Sequence, residues 1–248
     1  MKRILLLCSV FVLFAANVAA QKDQKEKPWT EWSEKEALKM MTDSAWAQSQ
    51  TEYTEPPADG SAITATQSRN AAGSTNPKAD SGETLGRKNA ALSLKYHVAF
   101  LTAKPVRAAF IRLMELRRPD TPAERVAELR SFVEKDLGDY IVVSLIVDGT
   151  DRQKVEPAKK YLGGANQATF KDIAYLERKD GKRVALMDYK APGSDPMGAK
   201  FVFPRTLEGQ PFLDANSGEV RVYMEIGKTK LNRRFKIAEM MYGGKLEH

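Results

Sequence analysis

Residues 140–147 read Tyr-Ile-Val-Val-Ser-Leu-Ile-Val. An almost unbroken apolar run of strand length, rich in β-branched residues, is the pattern of a central strand buried on both faces. Upstream, Leu92, Leu94, Tyr96, Val98 and Phe100 alternate with Ser93, Lys95, His97 and Ala99, the period of a strand with one buried face. Two helical segments lie between these strands. Pro105 opens the first, whose apolar face is Val106, Ala109, Phe110, Leu113 and Met114, and Arg118-Pro119 stops it. Thr121 and Glu124, with Pro122 between them, read as a capping box opening the second, which carries Val126, Leu129, Phe132, Val133 and Leu137 before Gly138.

Beyond the central strand the chain turns strand-rich, after a short helical piece at Pro157 to Leu162 closed by Gly163-Gly164. Lys179-Asp180-Gly181-Lys182 joins strands near 170–178 and 182–190, with an Asp-Gly pair suited to a type I′ turn. Gly227-Lys228 joins 219–226 to 229–238, and Val220, Val222, Met224 and Ile226 alternate with polar neighbours. The order βααβ followed by an antiparallel meander predicts an α+β fold: one layer of mainly antiparallel sheet with helices on one face.

Ahead of this domain, expected to span 90–248, the composition changes. From Thr54 to Asn89 only Ile63 and Leu85 are sizeable aliphatics in a Ser/Thr/Ala/Asn background broken by prolines and glycines. Such a segment, the polar linker 54–89, cannot bury enough apolar area to offset its ordering entropy. Residues 21–53 hold a charged lead-in and then Pro28-Trp29-Thr30-Glu31-Trp32-Ser33, where Ser33 and Glu36 form a capping box for a helix over 34–48. All three tryptophans, Trp29, Trp32 and Trp46, fall within or beside that helix. Large amphipathic rings ahead of a flexible linker suit docking on a partner or stacking on sugars, as they also suit a core.

Lys2 and Arg3, the apolar run Ile4 to Ala16 and the small residues Val18-Ala19-Ala20 read as a signal peptide over 1–20. The apolar run is too short for a membrane span, which needs about 20 residues, and no other stretch approaches that length. Cys8 is the single cysteine. A chain cleaved before Gln21 therefore has no thiol, which excludes disulfides, thiolate catalysis and Cys-based metal sites. The formal charge of +7 falls to +5 without Lys2 and Arg3. A basic exported protein meets anionic envelope polymers, lipid headgroups or acidic partners rather than nucleic acid.

Candidate chemistry is sparse. Asp148-Gly149-Thr150-Asp151 after the central strand resembles the DxDGT strand end of haloacid-dehalogenase-type phosphatases, but Ile146 stands where that family has its nucleophilic Asp. A turn leading into a helix cap accounts for the same residues. Gly227-Lys228-Thr229 resembles the tail of a phosphate-binding loop, yet it lies in a hairpin, with Val222 where a glycine is needed. Any hydrolytic triad or metal site of the domain would be built around His97, since His248 is the other histidine of two. No metal site and no cofactor is expected. Asp188, Asp195 and Asp214, beside loops near strand ends, are the carboxylates a glycosidase-type mechanism would draw on. Lys228, Lys230, Arg234 and Lys236 make the last hairpin an anion-binding candidate, or else a charged edge that blocks sheet-to-sheet aggregation.

Trp29 to Ser33, Ser44 to Gln48 and the basic stretch Lys230 to Lys236 resemble the corresponding segments of uncharacterised exported bacterial proteins. That resemblance implies export and carries no activity. The expectation is an exported, non-enzymatic binding or scaffolding protein of the cell envelope, in periplasm or medium. Its partner would be an envelope protein or an anionic or saccharide polymer, docked through Trp29, Trp32 and Trp46. The rival is a secreted polysaccharide hydrolase using paired carboxylates.

Overall fold

The structure is a computed structural model that describes residues 27–54 and 92–248. The expected signal peptide, the lead-in apart from Lys27, and the linker apart from Thr54 lie outside the described residues. The fold is α+β with antiparallel sheets and an N-terminal helix, as the sequence predicts. It has two sheets, where one layer is expected. The first contains β1 (Ala47–Tyr53), β2 (Ser93–Phe100), β3 (Tyr140–Gly149), β6 (Asp188–Lys190) and β7 (Ala199–Pro204) in the order β1-β2-β3-β7-β6. The second contains β4 (Ala174–Arg178), β5 (Arg183–Ala185), β10 (Glu219–Ile226) and β11 (Thr229–Lys236) in the order β11-β10-β4-β5. Two small ribbons complete the strands: β8 (Thr206–Leu207) with β9 (Gln210–Pro211), and β12 (Met241–Tyr242) with β13 (Lys245–Leu246).

The run at 140–147 is the middle strand, β3. Its Ile141, Val143 and Leu145 are fully buried on the inner face, together with Val98 and Phe100 of β2 and Phe201 and Phe203 of β7. Opposite them stand Leu176, Val220, Val222, Met224, Leu231 and Phe235 of the second sheet, in one continuous core. Phe100 and Phe235 meet edge to face across it at 5.0 Å, a favoured aromatic geometry. The second sheet arises because the expected strand 182–190 is two strands: β5 stays beside β4, the buried Leu186 crosses the core, and β6 joins β7. The turn before β5 also departs from type I′. Gly181 is left-handed (φ +85°) and Asp180 is not, so the Gly181 amide reaches Arg178 O and the Arg178 amide reaches Lys182 O around a wider loop.

α1 (Glu34–Thr42), α2 (Lys104–Arg117) and α3 (Ala123–Glu134) build a second apolar cluster around Ala37, Ala109, Phe110, Ile111 and Val133. The Ser33–Glu36 capping box starts α1 as expected. Thr121 makes no such box for α3, because its hydroxyl donates to Arg118 O instead. α4 (Arg152–Gly164) and the single turn α5 (Gln167–Phe170) sit by the ends of the strands.

The helix expected over 34–48 stops at Thr42, and 47–53 is the edge strand of the first sheet, paired along its length with β2. Residues 27–53 are thus part of the same fold as 92–248 rather than a unit standing apart. Gln48 and Gln50 point toward the second sheet, where their Nε2 groups donate to Arg234 O at 2.5 Å and Lys230 O at 3.2 Å on β11. Arg233 Nη2 returns a bond to Ser49 O at 2.9 Å. These bonds satisfy edge carbonyls that would otherwise invite another strand. Among the described residues no helix is long and apolar enough to cross a membrane.

Candidate functional site

The tryptophans expected to dock on a partner are mostly interior. Trp46, 6% exposed, belongs to the main core, lies edge to face with Tyr242 at 6.3 Å, and donates its indole N–H to Glu247 O at 2.8 Å. Trp32, 8% exposed, packs in the helical cluster and donates to Lys27 O at 3.2 Å. Trp29 is half-buried beneath the Arg130 guanidinium, 6.0 Å from its ring. Because β1 pairs with β2, the segment carrying them is, among the described residues, held against the domain rather than tethered apart from it.

The basic hairpin is dispersed rather than focused. Arg234 pairs with Glu219 at 3.1 Å, Lys236 with Glu239 at 2.9 Å and Lys230 with Glu225 at 3.9 Å, all at exposed positions, and Lys228 sits on the exposed turn. The three aspartates likewise have separate partners. Asp188 bonds Lys190 at 2.8 Å, Asp195 bonds Lys200 at 2.9 Å, and Asp214 accepts from Asn216 N at 2.8 Å and Ser217 Oγ at 3.0 Å. The Lys190 ammonium pulls the Asp188 carboxyl below its ordinary range, and the Asn216 amide does the same to Asp214. A glycosidase acid must instead hold its proton.

The Asp-Gly turn after β3 is a turn and cap. Asp151 is buried as the N-cap of α4, accepting from Gln153 N at 3.1 Å and from Thr54 Oγ1. Gly149 is required there: at φ +142°, an added Cβ would lie 2.1 Å from Ser93 O. Asp148 turns to His97, whose Nε2 lies 3.1 Å from Asp148 Oδ2, while its Nδ1 lies 2.6 Å from Ser49 Oγ. The three line an open groove with Leu38, Thr42 and Lys95. This has the membership of a nucleophilic triad, but Ser49 Oγ also lies 2.8 Å from Thr42 O, which can only accept. The hydroxyl has one proton for two acceptors: with the His97 Nε2–H directed at Asp148, Nδ1 competes with the Thr42 carbonyl for it, so the hydroxyl is not held for His97 alone as an activated nucleophile's would be. A fluorophosphonate probe is expected to leave Ser49 unlabelled, and stoichiometric labelling would make it a nucleophile.

The site that stands out was not visible in any one stretch of sequence. A cavity of about 500 Å³ opens where α2 begins, between the end of α3, Arg205 and the β12–β13 ribbon. Lys104, Arg107, Lys135, Arg205 and Lys245 line it, against Glu134, Asp136 and Glu247. Arg107 is 4% exposed; its guanidinium donates to Thr102 O, to Val133 O at 2.9 Å and to Lys135 O at 3.1 Å, tying the end of α3 to the start of α2. Its Nε has no partner. Arg205 donates to Tyr140 O at 3.1 Å and to His248 O at 2.7 Å. Burial pushes both guanidinium pKa values down, opposed by the nearby Glu247 carboxylate.

His248, 7% exposed, has no hydrogen-bond partner on either ring nitrogen. Burial, and then the Arg205 charge, push it from 6.5 down to about 4. The unfolded chain therefore takes up a proton that the folded cavity refuses. Stability should fall as pH drops from about 6.5 to 4, by roughly 2–3 kcal/mol from this group, and His248→Gln should flatten that part of a urea-stability profile.

Fold and site together define a two-sheet α+β protein with a half-open cavity rich in cationic side chains. No protein-family model matches the chain, and no curated protein matches it. A solved structure of a protein of unknown function from Burkholderia pseudomallei is similar over 56% of this chain and 72% of that one, at 14% identity and a TM-score of 0.36. A likeness that weak carries no argument about this chain.

Proposed function

We propose that this is an exported, non-enzymatic binding protein of the cell envelope that holds an anionic ligand in the cavity at the start of α2. The observation that carries the reading is a space of ligand size lined by buried residues whose polar atoms are incompletely satisfied. Buried polar groups are ordinarily hydrogen-bonded, yet Arg107 Nε and both His248 nitrogens are not, and both residues line a space of ligand size. The lining supports binding rather than turnover. Among its hydroxyls, Thr102 Oγ1 is held by the backbone amide of Val142.

Differential scanning fluorimetry tests the reading. Millimolar phosphate, sugar phosphates or dicarboxylates are expected to raise Tm, while neutral sugars at equal concentration leave it unchanged. Lys245→Gln, at an exposed rim position, should shrink the shift. Equal shifts with neutral sugars, or none with any anion, would contradict it.

A further inference from the structure

The cavity already holds an anion of the chain's own. Glu247 Oε2 accepts the backbone amide of Lys104 at 2.9 Å, at the N-terminus of the 14-residue α2, where amides and helix dipole favour negative charge. The backbone of residue 247 is pinned by two further bonds, its carbonyl accepting from Trp46 Nε1 at 2.8 Å and its amide donating to Met240 O at 3.0 Å. The side chain alone is left to move. Around it, five cationic side chains face three carboxylates, an excess of two. Arg107 and His248, both more than nine-tenths buried, line the cavity and carry nitrogens without hydrogen-bond partners.

Resting on the anion-binding reading, we infer that the cavity takes a ligand with two negative oxyanion charges, a phosphate monoester or a dicarboxylate, and that Glu247 competes with it for the helix end. The excess of cations favours a ligand of more than one negative charge, and the more so once Glu247 has turned aside. Glu247 occupies the position one oxyanion would take, so the ligand displaces a carboxylate instead of filling an empty cradle. The pinned backbone confines that displacement to side-chain rotation.

Glu247→Gln separates charge from shape, because the amide oxygen can still accept from Lys104 N. By isothermal titration calorimetry with inorganic phosphate, glucose 6-phosphate and succinate, this variant is expected to bind at least one probe about tenfold more tightly than the parent, since a like charge has left the site. Tightening confined to the first two probes identifies a phosphate ligand, and tightening confined to succinate a dicarboxylate. Unchanged or weaker binding in the variant, with the parent still binding, overturns the competition and leaves the anion site standing. Absence of binding by both proteins overturns the anion reading itself, and equal binding of neutral glucose overturns the charge requirement.

Discussion

A chain beginning at Ala90 is expected not to reach the native fold. It would lack β1, which pairs with β2 from Ala47↔Ala99 to Tyr53↔Ser93, and so would expose β2 as a long edge with Leu94, Tyr96, Val98 and Phe100 on one face. Three bonds to β11 and the ring of Trp46 would go with it. An uncovered apolar strand edge pairs with other chains, so the truncated protein should aggregate or remain without fixed side-chain packing. Near-UV circular dichroism and a thermal scan check this. A cooperative melt with native aromatic signals would show that residues 27–53 are dispensable.

Within that segment the effects should be graded by burial. Trp46→Ala removes a core ring and the donor to Glu247 O, and is expected to cost about 3–5 kcal/mol, as large aromatic truncations in cores do. Trp29→Ala, at a half-buried ring packed on the edge of the helical cluster and under the Arg130 guanidinium, should cost less, about 1–2 kcal/mol. Trp46→Phe keeps most of the apolar contact and loses the indole bond, so it should fall between the two. Urea denaturation of the three variants gives the order. Equal, small losses at 46 and 29 would return Trp46 to the surface.

Much of this fold was legible. β3 could be read from Tyr140–Val147 because the apolar run continues across both faces, although only its inner face is fully buried, with Val142 and Ile146 half-buried and Tyr140 exposed on the other; β10 could be read from strict alternation across 219–226. β1 was not legible, for a physical reason. At the rim of the sandwich its inward positions are Gln48 and Gln50, which satisfy carbonyls of β11 rather than filling the core, so Ala-Gln-Ser-Gln-Thr-Glu-Tyr carries no apolar period. The switch of sheets after Leu186 left only a small trace: Arg183 to Leu186 alternates as one strand would, and the period then slips at Met187-Asp188, so that burial passes from Leu186 to Tyr189.

The cavity was the least legible feature. Lys104, Arg107, Arg205, Lys245 and Glu247 come from separate segments that only the fold brings together. The one local signal was Arg107, which lies one turn before Phe110 on the inward side of α2 and is buried with it. The Ser49, His97 and Asp148 cluster was likewise assembled by strand pairing, with Ser49 directly opposite His97.

The chain has two histidines, and each candidate site holds one. The most direct test is therefore a long-range ¹H–¹⁵N spectrum of the imidazoles during titration with glucose 6-phosphate or succinate. His248, whose ring nitrogens have no protein partner, is expected to shift in a saturable way while His97, held between Ser49 and Asp148, stays in place. Saturable movement of His97 with His248 unmoved would place the ligand in the open groove and contradict the cationic cavity as the binding site.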